Sequence, residues 1–251
     1  MKRITVLLAE DHMIVREGFR KLLESEEDIE VVGEAQTGRQ AVELTRKLRP
    51  AVVVMDIAMP LLNGLEATRQ IRKTFPGTKV VILSAHSDDA YVEQAIAIGA
   101  VGFLFKQTSS HDLANAIREV QKGNTFFSPS IAKRLHDQKM PAGSGALRKK
   151  VARLSSRELE VLQLIAEGKA NKETAAELGI SIKTVEKHRQ NLMTRLNIHE
   201  ISGLTRYAIA AGIIERCPVN DRLAIAPASS PAQSCRDWIP EVSHGHKSPG
   251  P

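Results

Sequence analysis

The chain has 251 residues and a mass of 27.5 kDa, with 42% hydrophobic and 25% charged residues. This is the composition of a soluble globular protein of one large or two ordinary domains, and it excludes collagen-like, fully disordered and disulfide-scaffold classes. Six Phe, two Tyr and one Trp are too few rings for a protein that holds single strands by stacking many bases, which leaves duplex nucleic acid open. The net charge of +6 is unevenly placed: residues 1–125 carry 16 Lys/Arg against 17 Asp/Glu, residues 126–216 carry 16 against 9, and the remainder 3 against 3. Basic charge confined to one segment is the footprint of contact with phosphate.

After Met1-Lys2-Arg3 the apolar run extends only from Ile4 to Ala9 before Glu10-Asp11, too short for a signal peptide. No run approaches the roughly 18 residues of a spanning helix. Both cysteines, Cys217 and Cys235, lie in the last segment, away from either prospective core and without neighbours at zinc-ligand spacing. The expectation is a cytoplasmic protein without a membrane segment.

Five short apolar, β-branched runs follow in order: Ile4–Ala9, Val31–Ala35, Ala51–Met55, Val80–Leu83 and Gly102–Phe105. The stretches between them have helical spacing, as in Ile14, Phe19, Leu22 and Leu23 or Leu113, Ala116, Ile117 and Val120. Near-continuous apolar strands alternating with helices predict a parallel sheet covered on both faces. Residues 1–122 therefore read as an α/β, doubly wound (βα)5 domain of flavodoxin-like type. Residues 123–150 read as a linker with a short helix over Ile131–His136, ended by Met140-Pro141-Ala142-Gly143, and holding +5 of the basic excess.

Residues 151–216 read as a small all-α domain of four helices. Ser155 and Glu158 make a capping box before Leu159, Leu162, Ile165 and Ala166. Gly168 ends that helix, Asn171 caps a second, Gly179 stops it, and Ser181 caps a third running to about Leu196. A fourth runs from about Glu200 to Ala211. Two short helices joined by Gly179-Ile180-Ser181 match a helix-turn-helix. Residues 217–251 are rich in Pro, Ser and Ala without periodicity and read as a disordered tail.

In an open parallel sheet, ligands sit outside the carboxyl ends of the strands. Those ends carry Glu10 and Asp11, Asp56, Ser84 and Lys106. A solitary carboxylate at a strand end is usually a cap, but three carboxylates, a hydroxyl and an ammonium at four of five ends make a site. Packed carboxylates repel unless a cation neutralises them, and an all-oxygen set with open positions suits Mg²⁺. Asp56 can then act as a nucleophile forming an acyl phosphate, with Lys106 balancing the charge. Phosphatases of the haloacid dehalogenase type use similar chemistry but want a second acid two residues after the nucleophile, where this chain has Ala58. A phosphorylation-independent DNA binder would have no use for the acidic set.

Glu10-Asp11-His12, Met55-Asp56-Ile57-Ala58-Met59-Pro60 with Gly64, Ser84-Ala85, and Gly99-Ala100 through Phe103-Leu104-Phe105-Lys106 resemble a two-component receiver domain. Leu154–Leu196, with Thr184-Val185-Glu186-Lys187-His188, is similar to the LuxR-type helix-turn-helix. Together they resemble a NarL/FixJ-family response regulator over residues 1 to about 216. The resemblance implies Asp56 as phosphoacceptor, Mg²⁺ held by Glu10, Asp11, Asp56 and the Ala58 carbonyl, Lys106 on the phosphoryl group, and Ser84 with Phe103 as a switch pair. It also implies a sensor histidine kinase as donor, a homodimer when phosphorylated, double-stranded promoter DNA as ligand, and a regulator that is not an enzyme. Gln107 stands where many receivers have proline, and Glu10 replaces the more usual Asp.

On the third helix of the small domain, Leu192 and Leu196 share an edge with Val185, while Lys183, Lys187, Gln190, Asn191 and Thr194 lie opposite and Glu186 flanks them. Lys can donate to guanine, Gln to adenine, and Glu can accept from cytosine. Lys183, Thr184, Glu186, Lys187, His188, Arg189, Gln190 and Asn191 are the candidate DNA contacts. Arg189 sits towards the buried side, which suits a reach to phosphate rather than a base edge, and His188 suits a backbone contact.

Overall fold

The computed structural model describes residues 3–85, 89–107, 110–127, 131 and 154–214. Most of the expected linker helix and the whole 217–251 segment lie outside the described residues. Six strands, β1 (Ile4–Ala9), β2 (Ile29–Ala35), β3 (Val52–Asp56), β4 (Lys79–Ser84), β5 (Gly102–Phe105) and β6 (Phe126–Phe127), form one parallel sheet in the order β2-β1-β3-β4-β5-β6. Helices α1 (Met13–Glu24), α2 (Gly38–Leu48), α3 (Gly64–Thr74), α4 (Asp89–Ala97) and α5 (Ser110–Lys122) connect them. The order reverses between β1 and β3, the switch point at which such sheets bind ligands.

Strand residues alternate between two buried layers, because successive side chains leave a strand on opposite faces. Leu7, Ala9, Val53 and Met55 pack with Ala41, Ala67, Ile71, Val92 and Ala95 of α2, α3 and α4. Val6, Leu8, Val52 and Val54 pack with Phe19 and Leu23 of α1 and with Leu113, Ile117 and Val120 of α5. The two-residue β6, absent from the sequence reading, pairs with Gly102 and Phe103.

The β3–α3 connection is fixed by close packing. The Asn63 side chain caps α3 by accepting from the Glu66 N–H at 2.8 Å. Gly64 lies directly on the end of β3: a Cβ there would sit 1.8 Å from the Asp56 carbonyl oxygen. Gly64→Ala is expected to destabilise the fold by about 3 kcal/mol or more, since backbone must move to make room. An unchanged melting midpoint would show that the strand end yields.

The second half holds α6 (Ser156–Ala166), α7 (Asn171–Leu178), α8 (Ile182–Leu196) and α9 (Ile201–Ala210) around Val161, Leu162, Leu164, Ile165, Leu192, Leu196 and Leu204. The Ser155–Glu158 capping box forms in both directions. Gly168 and Gly179 take the left-handed conformation, at φ 83° and 61°. Asn171 does not cap α7. Ala170 occupies that position, and the Glu173 carboxylate takes its N–H at 2.8 Å, leaving the Asn171 amide for another partner. Leu159 and Ala166 are only half-buried while Glu160, Val161, Gln163 and Leu164 are buried, because α6 is covered on a second side by the sheet half. Among the described residues no helix is long and apolar enough to cross a membrane.

Candidate functional site

At the carboxyl end of the sheet, ligand atoms of Glu10, Asp11, His12 and Asp56 all lie within 4.8 Å of one another. Glu10 is 0% exposed and Asp56 1% exposed. The turn after β1 is held from beneath by Arg16, whose Nη1 donates to the Glu10 carbonyl at 2.8 Å and whose Nε donates to Glu34 at 3.0 Å. Lys106, just past β5, donates from Nζ to Glu10 Oε1 at 3.0 Å and lies 2.9 Å from both Glu10 Oε2 and Asp56 Oδ2. Its own N–H donates to the Ser84 carbonyl at 2.8 Å, which ties the ends of β4 and β5 together.

Burial, reinforced by the charge of Glu10, pushes the Asp56 carboxyl up to about 6, although Lys106 pulls against it. Burial works to lower the Lys106 ammonium, but the facing Asp56 and Glu10 outweigh it and hold the amine above its ordinary value. The structure thus gathers the carboxylates and the ammonium expected from the strand ends. Glu10 Oε2, Asp11 Oδ1 and Asp56 Oδ2 are buried, facing the Lys106 ammonium at 2.9 Å from the first and third and the His12 ring at 2.9 Å from the second. Three carboxylates facing one ammonium, with unused lone pairs on hard oxygen, fit a divalent cation of the Mg²⁺ type.

His12, which follows the strand end and is not itself a strand-end carboxylate, belongs to this cluster: its Nδ1 is 2.9 Å from Asp11 Oδ1 and 3.2 Å from Glu10 Oε1, with the ring mostly exposed. Ser84 is 2% exposed at the end of β4. Phe103 is fully buried, edge-to-face with Phe105 at 6.1 Å between centroids.

Residues 6–118 match the response regulator receiver domain family, and residues 152–208 match the luxR family of bacterial regulatory proteins. A transcriptional regulatory protein MctR from Rhizobium johnstonii is 37% identical over 214 residues, 85% of this chain and 97% of that one. The chain belongs to the response regulators of the NarL/FixJ type. Among solved structures it is similar to the RcsB response regulator of Salmonella typhimurium, at a TM-score of 0.51 and 30% identity over 84% of this chain and 100% of that one. It is similar to RcsB in a complex with DNA at the same score and identity, over 82% and 98%.

The third helix of the luxR-family domain, α8, presents a polar face. Ser181 caps it, its Oγ accepting from the Thr184 N–H at 3.1 Å and lying 2.8 Å from Thr184 Oγ1. Val185, Leu192 and Leu196 are buried beneath. Lys183, Glu186, Lys187, Gln190, Asn191 and Thr194 are exposed, whereas Thr184, His188 and Arg189 are half-buried. Arg189 does not extend outwards as expected: its Nη1 donates to Asn171 Oδ1 at 2.8 Å, bracing α8 against the start of α7. The uncapped amide of Asn171 has this use.

One group of residues escaped the sequence reading entirely. Between the two halves, Gln163 Nε2 donates to the Met59 carbonyl at 3.0 Å and Gln163 Oε1 accepts from the Asn63 N–H at 2.7 Å. The Leu61 N–H donates to Glu167 at 3.1 Å, and Asn63 Nδ2 donates to the Ile213 carbonyl at 3.1 Å. Arg39 and Gln70 both donate to Glu160, at 3.2 and 3.0 Å.

Proposed function

We propose that the chain is a cytoplasmic, phosphorylation-controlled transcription regulator, with residues 1–122 as receiver, 123–150 as linker, 151–216 as DNA-binding domain and 217–251 as tail. The observation that carries this is the buried Asp56, flanked by Glu10 and Asp11 and faced by Lys106 at 2.9 Å. An Asp56 carboxylate oxygen attacks the phosphorus of a donor, a phosphohistidine of a sensor kinase or a small acyl phosphate. The bond from phosphorus to the donor atom breaks with its electron pair leaving on the donor, and an aspartyl phosphate remains. Lys106 moves from balancing two carboxylates to balancing the phosphoryl oxygens. Glu10, Asp11, Asp56 and the Ala58 carbonyl are the atoms that would hold Mg²⁺, which supplies charge neutralisation on the transferring group.

Ser84, at the end of the neighbouring strand, is placed to turn its hydroxyl towards a phosphoryl oxygen, and Phe103 follows on the face of α4, β5 and α5. Ser84→Ala is expected to accept phosphate at the wild-type rate but to remain monomeric in sedimentation after labelling. Normal dimerisation of that variant would remove Ser84 from the relay.

On this reading α8 enters the major groove of double-stranded promoter DNA, and pairing of two phosphorylated chains places two such helices on neighbouring half-sites. Selection from a random duplex pool, with and without acetyl phosphate, tests the whole scheme. A repeated half-site should be enriched by the phosphorylated wild type and not by Asp56→Asn. Equal enrichment by both would refute phosphorylation control.

A further inference from the structure

Helix α1 begins without a side-chain cap. His12 stands at the position where Ser, Thr, Asp or Asn would ordinarily accept from the first free N–H groups, and its ring makes no such bond. The ring lies instead against the carboxylates at the end of β1. Its Nδ1 is 2.9 Å from Asp11 Oδ1 and 3.2 Å from Glu10 Oε1, while the His12 N–H donates to that same Glu10 oxygen at 3.3 Å. Stability does not account for this placement, because an ion pair whose ring is 66% exposed contributes little.

The spacing is that of a coordination sphere. An octahedral divalent ion with bonds of about 2.1 Å holds neighbouring ligand atoms about 3.0 Å apart and opposite ones about 4.2 Å apart. The two His12 distances match neighbouring positions, and the wider set of His12, Asp11, Glu10 and Asp56 atoms lies within 4.8 Å. Lys106 meets Glu10 and Asp56, whereas His12 meets Glu10 and Asp11, so ammonium and ring approach different pairs of carboxylates. With its proton on Nε2, a neutral imidazole presents the Nδ1 lone pair to this space. Nitrogen changes which ion the set prefers. Mg²⁺ takes oxygen ligands and parts with its waters reluctantly, whereas first-row transition ions accept imidazole beside carboxylate.

We propose that His12 is a fourth side-chain ligand of the cation site, and that the ion it selects is a first-row divalent ion, Mn²⁺ or a heavier one, in preference to Mg²⁺. The inference rests on the receiver reading above and deepens it by naming the class of cofactor. Glu10, Asp11 and Asp56 supply the charge that holds any divalent ion. His12 supplies the discrimination between ions, by filling a position that water would hold on an ion bound through oxygen alone.

The test uses the full, unphosphorylated chain, with MnCl₂ and MgCl₂ as probes. Mn²⁺ stands lowest among these ions in affinity for imidazole, so His244 and His246 of the final segment compete for it less than they would for Ni²⁺ or Zn²⁺. Free Mn²⁺ is read from its electron paramagnetic resonance signal, Mg²⁺ from its displacement of bound Mn²⁺, and the ligand type from ¹⁴N modulation in pulsed spectra of the bound ion. Wild type should show the modulation of a directly bound imidazole and hold Mn²⁺ about tenfold more tightly than Mg²⁺ or better. His12→Ala should lose the modulation and bind Mn²⁺ about tenfold more weakly, with Mg²⁺ affinity altered by less than about twofold. His12→Gln, which offers an amide oxygen, should lose the modulation as well. A ring that only orients the carboxylates by hydrogen bonding would affect the two ions alike. Modulation absent from wild type, no preference over Mg²⁺, or equal weakening of both ions in His12→Ala therefore overturns the proposal while leaving the receiver reading intact. Binding of both ions unchanged in Asp56→Asn and in Glu10→Gln overturns the cation site itself and, with it, the phosphoryl chemistry built on that site.

Discussion

Asp56→Asn is expected to abolish labelling by acetyl phosphate and, at the same time, to raise the melting midpoint of the unlabelled protein. The first effect follows from removal of the nucleophile: an amide oxygen does not displace the donor, and Ser84 and Lys106 offer no carboxylate in its place. EDTA should block labelling of the wild type for a different reason, since the three acidic groups then repel the incoming phosphoryl oxygens. The second effect follows from burial. Burial and the neighbouring Glu10 raise the Asp56 carboxyl from 3.8 to about 6, so in the cation-free protein its ionised form is held at a cost. A group whose folded value is raised favours the folded state only while protonated. Its cost is absent below about 4, grows as pH rises towards 6, and is fully present at pH 7 and above. A shift of two units corresponds to about 3 kcal/mol with the pull of Lys106 already included, and the variant recovers less than this because it still buries a polar amide. A gain of about 1–2 kcal/mol, or a few degrees in midpoint for a domain of this size, is the net expectation at pH 7.5, vanishing near pH 4. Thermal melts at the two pH values check it. A variant less stable than wild type at pH 7.5 would mean that the Lys106 ion pair outweighs the burial of the charge.

The same enclosure of Asp56 was partly legible in the sequence. Strands β1 and β5 have the expected limits because their apolar runs coincide with their pairing. Strand β2 begins two residues earlier than its apolar run, since parallel pairing sets Ile4 against Ile29 and draws in the exposed Glu30. Asp56 itself belongs to β3 by pairing with Leu83, which is why its carboxylate is buried and not on a mobile turn. Two residues cannot display a period, so β6 left no signal; it exists because Gly102 and Phe103 offer an open strand edge. The carboxylate site could be read because strand ends of a parallel sheet converge whatever the loops do. The contacts of Gln163 and Glu167 could not, because each is a polar residue on an amphipathic helix whose partner is backbone about a hundred residues away. Backbone acceptors carry no residue identity for a sequence to show.

Replacement of Lys187 by alanine should cost about 1–3 kcal/mol in binding to the preferred duplex and relax the preference at one base pair. The structure leaves Lys187 exposed on the face of α8 that also carries Lys183, Gln190 and Asn191, while Val185, Leu192 and Leu196 fix the opposite face in the core. An ammonium in that position can donate to guanine, and its loss leaves one base edge unread while the remaining contacts keep the helix in register. A lysine that met only phosphate would behave differently: its loss would weaken all sequences alike and reduce the salt slope by about one. Arg189 provides the contrast. Because its guanidinium braces α8 through Asn171, Arg189→Ala removes the orientation of the whole reading helix. It should lower affinity for every sequence and leave the ranking of bases, and most of the salt dependence, unchanged. Gel-shift titrations of the two variants against the preferred site and single-base changes, each at two salt concentrations, separate the outcomes. Base preference untouched in Lys187→Ala would place the reading face elsewhere on α8, with Glu186 and Gln190 the next residues to replace.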